Sequence, residues 1–190
     1  MLDRKPFYFL RHGQTDWNAE RLCQGRIDIP LNAAGVKQAG EAKAHLAGTA
    51  ITTICSSPLG RALETAKMVN GVLKSRLVII DELQECSFGE AEGKPINAEP
   101  YDAIIRNAGN FGGEPFEAFV ARAIAGINQA LSHPGPVLIV SHGGIFHAMK
   151  SLVRLRYEGD IPNCVPLRLT PSEDEPSGWT MEMVRNISDL

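Results

Sequence analysis

The sequence lacks the features that would assign it to several special classes of protein. It has no dense block of Lys or Arg and its net charge is −3, so it lacks the electrostatic signature of a nucleic-acid-binding surface. Its apolar runs reach only four or five residues, too few to span a bilayer. The first ten residues lack the apolar core and cleavage site of a signal peptide. We therefore expect a cytoplasmic protein with neither a nucleic-acid nor a membrane partner.

Paired cysteines are also missing. The sequence contains no C-x-x-C pair and no regularly spaced Cys/His set, and its four cysteines are widely scattered: Cys23, Cys55, Cys86 and Cys164. Such a distribution is typical of reduced thiols in a cytosolic protein rather than of a disulfide framework or a zinc site. We expect four free thiols, no metal and no cofactor.

What the chain does contain is typical of a globular domain. With 190 residues, of which 44% are hydrophobic and 22% charged, it can bury a full core without metal or disulfide bonds. No repeat or linker divides it, so we expect a single domain over residues 1–190. Apolar runs alternate with segments of helical periodicity, which predicts an α/β fold with three layers.

The elements follow from these patterns. The predicted strands are Phe7–Leu10, Thr52–Cys55, Leu77–Ile80, Pro136–Val140, Cys164–Leu169 and Trp179–Val184. Helices are predicted after the N-cap Asn32, after the N-cap Ser57 with Pro58, after Gly112–Pro115 and after His142, with Val36 and Leu152 among the inward residues. The weak pattern of Lys94–Gly113 predicts a flap with a short helix near Tyr101–Arg106.

Two of the predicted strands end in histidine and glycine. The first leads into Arg11-His12-Gly13 and the fourth into Ser141-His142-Gly143-Gly144. Ligands of open α/β sheets bind beyond the carboxyl ends of the strands, where such side chains emerge. One strand-end histidine is more often an ordinary hydrogen-bonded residue than a nucleophile. The recurrence of the pattern is what favours a functional site.

Two arginines are placed to accompany these histidines. The planar fork of arginine suits phosphate, so Arg11 and Arg61 would hold a phosphoryl group from different elements. Arg61 lies in the first turn of a predicted helix, where a cation opposes the helix dipole, although a solvated arginine fits this position equally well. A neutral His12 would attack phosphorus in line, and a protonated His142 would help to match the charge of the equatorial oxygens.

These motifs resemble the signature of the histidine phosphatase superfamily, also called the phosphoglycerate mutase-like family. The matching stretches keep the order of the family and extend along nearly the whole chain: Leu10–Thr15 with Asn18; Gln24-Gly25 with Asp28, Pro30 and Leu31; Ser56–Ala62 with Thr65-Ala66; Leu83 and Glu85; Phe88-Gly89; Glu92-Gly93; Gly112–Glu114; and Val140–Gly144. The resemblance implies a mostly parallel central sheet flanked by helices. It also implies a small phosphate ester as substrate and a two-step mechanism through a phosphohistidine.

The resemblance assigns roles to the matching residues. His12 would be the nucleophile, and Arg11, Arg61 and His142 the phosphate pocket. Asn18 would add a phosphate contact, Gln24 would be a weaker candidate for one, and Thr15 would brace the loop. Glu85 matches the proton donor of the family, which protonates the leaving oxygen and later activates water. Its acidic neighbours compete for this role: Asp81, Glu82, Glu90 and Glu92.

Two departures from the family pattern bear on the site. Gly143 stands where many members carry a polar side chain, so any phosphate contact there would come from backbone N–H groups at the helix start. The segment Lys94–Gly113 has no readable specificity motif. Lys94 and Arg106 would contact a second anionic group of the substrate, or would simply be solvated charges.

Several functions stay open at this stage. Only Cys86–Pro136 separates the acidic segment from the second histidine, less than the insertion that shields the phosphoenzyme of cofactor-dependent mutases from water. This favours a metal-independent phosphomonoesterase over the first alternative, a cofactor-dependent phosphoglycerate mutase. The second alternative, a non-catalytic phosphate-binding regulatory module, is disfavoured because the five candidate residues are all present: Arg11, His12, Arg61, Glu85 and His142. A metal hydrolase using His142 and His147 is disfavoured, because residues at i and i+5 do not share a helix face. The sequence sets neither the substrate nor the oligomeric state, and a homodimer is compatible with it.

Overall fold

A computed structural model describes residues 1–96, 101–157 and 159–185. In this part of the chain six strands form one sheet, in the order β3-β2-β4-β1-β5-β6. The strands are β1 Phe7–Arg11, β2 Thr53–Ser56, β3 Arg76–Ile79, β4 Val137–Ser141, β5 Leu167–Pro171 and β6 Trp179–Met183. β1 to β4 run parallel, whereas β5 and β6 pair antiparallel beside β1. The predicted mostly parallel sheet is confirmed.

Helices cover both faces of the sheet. They are α1 Asp16–Ala19, α2 Ala33–Leu46, α3 Gly60–Leu73, α4 Tyr101–Asn107, α5 Phe116–Leu131 and α6 Gly143–Val153. Successive side chains of a strand point to opposite faces, and β1 shows this directly. Phe7 and Phe9 belong to the core formed with α5 and α6, whereas Leu10 belongs to the core formed with α2 and α3. The three-layer α/β/α architecture is therefore confirmed, and so is the short helix predicted near Tyr101.

β4 lies at the centre of this arrangement. It has a parallel neighbour on either side, β1 and β2, and all five of its residues are buried. A parallel strand that is covered on both faces requires a continuous apolar run rather than alternation. The sequence Val137–Val140 is such a run, which explains why the strand could be identified from sequence.

Several predicted boundaries are wrong. α3 begins at Gly60 with Leu59 as its N-cap, so Ser57 lies two residues too early to cap it. The strand predicted from Cys164 begins at Leu167, since Cys164 has a φ of 54° that no strand residue adopts. Val36 and Leu152 were expected to face inward but are 42% and 43% exposed. Of the predicted Lys94–Gly113 flap, residues 97–100 lie outside the described residues.

The four cysteines are free and buried, as predicted. Burial raises the pKa of the Cys23, Cys55 and Cys164 thiols to about 12, so they stay protonated at neutral pH. Within the described part of the chain, no helix has the length and apolar character needed to cross a membrane.

Candidate active site

The carboxyl ends of β1, β2 and β4 meet at one edge of the sheet. The register sets Arg11 opposite Ser141 and Ser56 opposite Val140. The residues that directly follow these strands are His12 after β1, Ser57 after β2 and His142 after β4. The backbone N–H of His12 continues the ladder by donating to the Ser141 carbonyl at 2.9 Å. As a result the rings of His12 and His142 lie 5.1 Å apart, centroid to centroid.

The hydrogen bonds of His12 define which ring nitrogen is reactive. Nδ1 lies 2.7 Å from the Gly13 carbonyl oxygen. A carbonyl can only accept, so Nδ1 carries the proton and Nε2 keeps its lone pair. Burial, and then the charges of Arg61 and Arg11, hold the pKa of His12 well below its ordinary value of 6.5. His12 is therefore a neutral imidazole with an available nucleophilic nitrogen.

Gly13 has a packing role that the sequence did not reveal. Its N–H donates to Thr65 Oγ1 at 3.1 Å. A Cβ at this position would stand 2.6 Å from the Gly35 carbonyl oxygen of α2. The glycine after His12 is thus required by the close approach of two backbones, rather than by a left-handed turn.

His142 is fully buried and is oriented by Ser57. Its Nε2 lies 2.8 Å from Ser57 Oγ, which itself accepts the N–H of Leu59 at 3.3 Å. When the serine hydroxyl donates its proton to Nε2, the imidazole proton lies on Nδ1. Burial and the charge of Arg61 hold the pKa of His142 well below 6.5. In the free protein this ring lies in the same desolvated, cationic environment as His12, and the protonated His142 expected against a bound phosphoryl group stays a prediction.

The two arginines are anchored by backbone carbonyls. Arg61, with no exposed surface, donates to the carbonyls of Ile27 at 3.1 Å and Gly25 at 2.7 Å, and lies 3.7 Å from Asp28. Arg11 donates to the carbonyl of Ile161 at 2.8 Å. These contacts use the terminal nitrogens of each guanidinium and fix its plane.

Buried donors without a partner are concentrated at this site. Within residues 1–96, 101–157 and 159–185, the buried side-chain nitrogens that have no hydrogen-bond partner are Arg11 Nε, Gln24 Nε2, Arg61 Nε and His142 Nδ1. Leaving a buried donor unpaired costs about 1–3 kcal/mol. All four belong to the residues predicted to hold phosphate, and each can donate to an oxyanion. The arrangement is suited to binding a group with several anionic oxygens.

Asn18 and Gln24 are oriented by Thr15. Thr15 and Asn18 form a reciprocal cap at the start of α1, in which Asn18 Oδ1 accepts the Thr15 N–H at 3.2 Å. The Thr15 hydroxyl donates to Gln24 Oε1 at 2.8 Å. Both amide oxygens are thereby engaged, and both amide NH₂ groups stay available as donors. The bracing role predicted for Thr15 is confirmed, whereas α1 itself was missed although the Thr-x-x-Asn spacing signals a cap.

A cleft of about 790 Å³ opens over His12. It is lined by most of the predicted site residues: Arg11, His12, Asn18, Gln24, Glu85 and Gly143. Arg61 and His142 are fully buried and do not reach its surface, and their direct contact with phosphate stays a prediction. Lys94 and Arg106 do not line the cleft either. The cations of its outer wall are Arg21 and Lys150.

Glu85 is the acidic candidate that lines the cleft. It is 2% exposed, and its Oε1 accepts the N–H of Cys86 at 2.8 Å. Its Oε2 accepts the N–H of Gly144 and the hydroxyl of Tyr101, each at 3.1 Å. Glu92 instead binds the backbone N–H groups of Arg26, Ile27 and Phe88 and therefore holds loops together. Asp81, Glu82 and Glu90 are absent from the wall of the cleft.

Comparison with known proteins agrees with this geometry. Residues 7–174 match the family model of the histidine phosphatase superfamily, branch 1. The chain belongs to this superfamily.

The relatives of this histidine phosphatase superfamily member include phosphatases and mutases. The uncharacterized phosphatase PhoE of Bacillus subtilis (strain 168) is 38% identical over 146 residues, covering 74% of this chain and 72% of PhoE. The protein named probable phosphoglycerate mutase GpmB of Enterobacter sp. (strain 638) is 30% identical over 205 residues, covering 96% and 94% of the two chains. The solved structure of a mycobacterial glucosyl-3-phosphoglycerate phosphatase in complex with VO₃ is 25% identical with a TM-score of 0.74, covering 94% and 96%. Together they support an enzyme of the phosphatase or mutase type.

Three further residues of this superfamily member were not identified from sequence. Ser57 orients His142, and Tyr101 contacts Glu85. Arg122 forms a bidentate pair with Glu114 at 2.8 and 2.7 Å, and it also donates to the carbonyls of Glu82, Gln84 and Glu85. Nothing in the sequence distinguishes this helical arginine from a solvated one. Among the described residues, no group of three or more His, Cys, Asp or Glu is placed to hold a metal ion.

Proposed function

We propose that this chain is a metal-independent phosphomonoesterase that transfers the phosphoryl group of a small metabolite first to His12 and then to water. The observation that carries the proposal is the fixed tautomer of His12. Its Nδ1–H donates to the Gly13 carbonyl, while burial and two guanidinium groups keep the ring neutral. A nucleophile needs a lone pair, and this arrangement supplies one on Nε2.

In the first step Nε2 of His12 attacks phosphorus. The N–P bond forms as the bond from phosphorus to the leaving oxygen breaks, and Glu85 gives its proton to that oxygen. The charge on the equatorial oxygens is met by the donors that have no protein partner, on Arg11, Arg61, Gln24 and His142. The amide of Asn18 and the N–H of Gly143 add contacts from the cleft wall.

In the second step water attacks the phosphohistidine. Glu85, now a carboxylate, accepts a proton from the water as its oxygen bonds to phosphorus. The N–P bond breaks and returns the electron pair to Nε2, so His12 is again neutral. Inorganic phosphate leaves, and Glu85 holds the proton that it needs for the next cycle.

A mutase is the second candidate, because the relative named GpmB matches nearly the full length of this chain. A mutase must keep water away from the phosphohistidine and return the phosphoryl group to a second oxygen of the substrate. The cleft over His12 has about 790 Å³ and admits water, which favours hydrolysis.

Hydrolysis of p-nitrophenyl phosphate with excess EDTA tests the proposal. We expect the wild type to be active, His12→Ala to be inactive, and His133→Ala, a histidine at the far end of α5, to retain wild-type activity. Equal activity in His12→Ala and the wild type would exclude the nucleophile role, and loss of wild-type activity in EDTA would exclude metal independence. A wild type that rejects this ester but interconverts phosphoglycerates in the presence of 2,3-bisphosphoglycerate is a mutase.

A further inference from the structure

Glu85 is held by three hydrogen-bond donors, and only one of them is a side chain. The N–H groups of Cys86 and Gly144 belong to the backbone, whereas the hydroxyl of Tyr101 can be removed by substitution. We propose that Tyr101 is a positioning residue for Glu85: its hydroxyl donates to Oε2 of both the carboxylate and the carboxylic acid, so that the proton donor keeps one orientation in both steps. This proposal rests on the proposed function.

The surroundings of Tyr101 fix its ring beside the phosphate site. Its ring centroid lies 6.1 Å from that of Phe88 and 5.4 Å from that of His147. A Cβ placed on Gly143 would stand 3.4 Å from Cε1 of Tyr101 and 3.7 Å from Nε of Arg11. The tyrosine ring therefore packs against the start of α6, close to the arginine that ends β1. Burial, and then the charge of Glu85, hold the pKa of Tyr101 well above its ordinary value, so its hydroxyl keeps its own proton.

The chemistry of the first step explains why such a partner is needed. Three donors favour the ionised form of Glu85, yet the leaving oxygen requires a protonated one. The phosphate dianion brings negative charge beside the carboxylate and favours protonation. The new O–H of Glu85 must point to the leaving oxygen, so the carboxyl group has to be held in place by other contacts. The Tyr101 hydroxyl keeps its hydrogen bond to the carboxyl group before and after the proton passes to the leaving oxygen, and Tyr101 itself neither gains nor loses a proton.

Carboxyl NMR tests this contact without requiring turnover. In protein with ¹³C-labelled glutamate carboxyl groups, the Glu85 signal is assigned by its disappearance in Glu85→Gln. Removing a hydrogen-bond donor from the carboxyl group should shift this signal at neutral pH in Tyr101→Phe, which keeps the ring and its packing. The other ionisable groups that act on this pair, Arg61, Arg11 and the thiols of Cys23 and Cys86, are the same in every variant.

Tyr157→Phe is the matched control for this measurement. It also removes a phenol hydroxyl from the wall of the cleft, but the Tyr157 ring packs on Phe146 rather than against Glu85. We expect the Glu85 carboxyl signal in this variant to lie at the wild-type chemical shift. The same chemical shift in Tyr101→Phe and the wild type would overturn the proposal.

Kinetics separate this proposal from the proposed function. For Tyr101→Phe we expect kcat for phenyl phosphate to fall about tenfold, with a smaller loss on p-nitrophenyl phosphate, because a misplaced acid matters most for a poor leaving group. A purely structural tyrosine would lower both rates equally. If the wild type hydrolyses no ester, the proposed function fails and the carboxyl NMR measurement still decides the Tyr101 contact.

Discussion

The rings of His12 and His142 lie 5.1 Å apart in one buried wall, and both are neutral in the free protein. Burial is the largest cause in each case, followed by the charge of Arg61. A pair of imidazolium ions at this distance would repel each other. The neutral pair leaves the guanidinium groups as the cations of the site and leaves His12 the lone pair that its proposed role requires.

The neutral histidines make stability depend on pH. Both pKa values are lowered from 6.5 in the folded protein, so below pH 6.5 the unfolded chain binds more protons. Their contribution is complete above pH 6.5 and is lost as the pH falls towards the folded pKa values. As the pH falls, each histidine lowers the free energy of unfolding by up to about 1.4 kcal/mol per pH unit. The free energy of unfolding measured in urea should therefore decrease between about pH 7.5 and pH 5.5. The carboxyl groups of Glu114 and Asp160, whose pKa values are lowered, affect stability only at lower pH.

The variant His142→Asn checks the assignment of this slope. It should lose about half of the pH dependence, because one of the two neutral histidines is gone. His133→Asn changes a histidine outside the site and should keep the wild-type slope. A slope that is unchanged in His142→Asn would show that other groups cause the pH dependence.

Replacing the carboxyl group of Glu85 should slow ester hydrolysis to an extent that depends on the leaving group. Glu85→Gln cannot donate a proton, so kcat for phenyl phosphate should fall by about 10²–10⁴-fold. The loss on p-nitrophenyl phosphate should be much smaller, because a good leaving group needs little protonation. Glu82→Gln, in the same acidic segment but off the wall of the cleft, is the control and should retain both rates. Equal losses on both esters in Glu85→Gln would refute its role as the acid.

Two adjacent glycines at the start of α6 should respond differently to alanine. A methyl group at Gly144 would overlap the Glu85 carboxylate and crowd Phe119, so Gly144→Ala should displace the acid. We expect it to lower the melting temperature and to reduce kcat for phenyl phosphate at least tenfold, as a misplaced general acid does. At Gly143 the nearest atom is 3.4 Å from the added methyl group, and alanine is the better helix former. Gly143→Ala should therefore keep its stability, and similar melting temperatures and rates in the two variants would contradict this account.

Arg122 should stabilise the segment that carries Glu85. Its guanidinium pairs with Glu114 and binds three carbonyl groups of the segment 82–85, those of Glu82, Gln84 and Glu85. Lysine cannot reproduce this fork, so Arg122→Lys should lower the free energy of unfolding by about 2–3 kcal/mol. Arg26 also pairs with Glu114, but its side chain is 41% exposed, and Arg26→Lys should cost less than about 1 kcal/mol. Denaturant unfolding measures the stability of both variants. Equal losses of free energy of unfolding in Arg122→Lys and Arg26→Lys would refute the predicted difference.

Much of the fold was readable from sequence because its signals are local. β1 and β4 are continuous apolar runs, α5 has a regular apolar stripe, and Asn32 caps α2 as its position predicted. The start of α3 was misplaced because a serine before proline is a strong capping signal. In this protein the Ser57 hydroxyl instead contacts His142, a residue 85 positions away.

The parts of the site that were predicted also depend on local sequence signals, whereas the unpredicted parts depend on contacts between distant residues. His12 and Glu85 carry motifs in their own sequence neighbourhood. Tyr101 and Arg122 act through contacts with the segment around Glu85, which lie 16 to 40 positions away along the chain. No local pattern encodes such a contact. The neutral state of His142 was also unpredictable, since it depends on burial and on the approach of Arg61 in three dimensions.

The position of β4 also determines when the sheet can form during synthesis. In the order β3-β2-β4-β1, the strand between β1 and β2 is β4, which is synthesised only after α5 ends at Leu131. Until then β1 and β2 have no partner in common, and both keep apolar edges that other chains can pair with. Insertion of Val137–Ser141 joins these strands and brings His142 to His12 in the same event. A nascent chain of this protein therefore gains its central sheet and its phosphate site together.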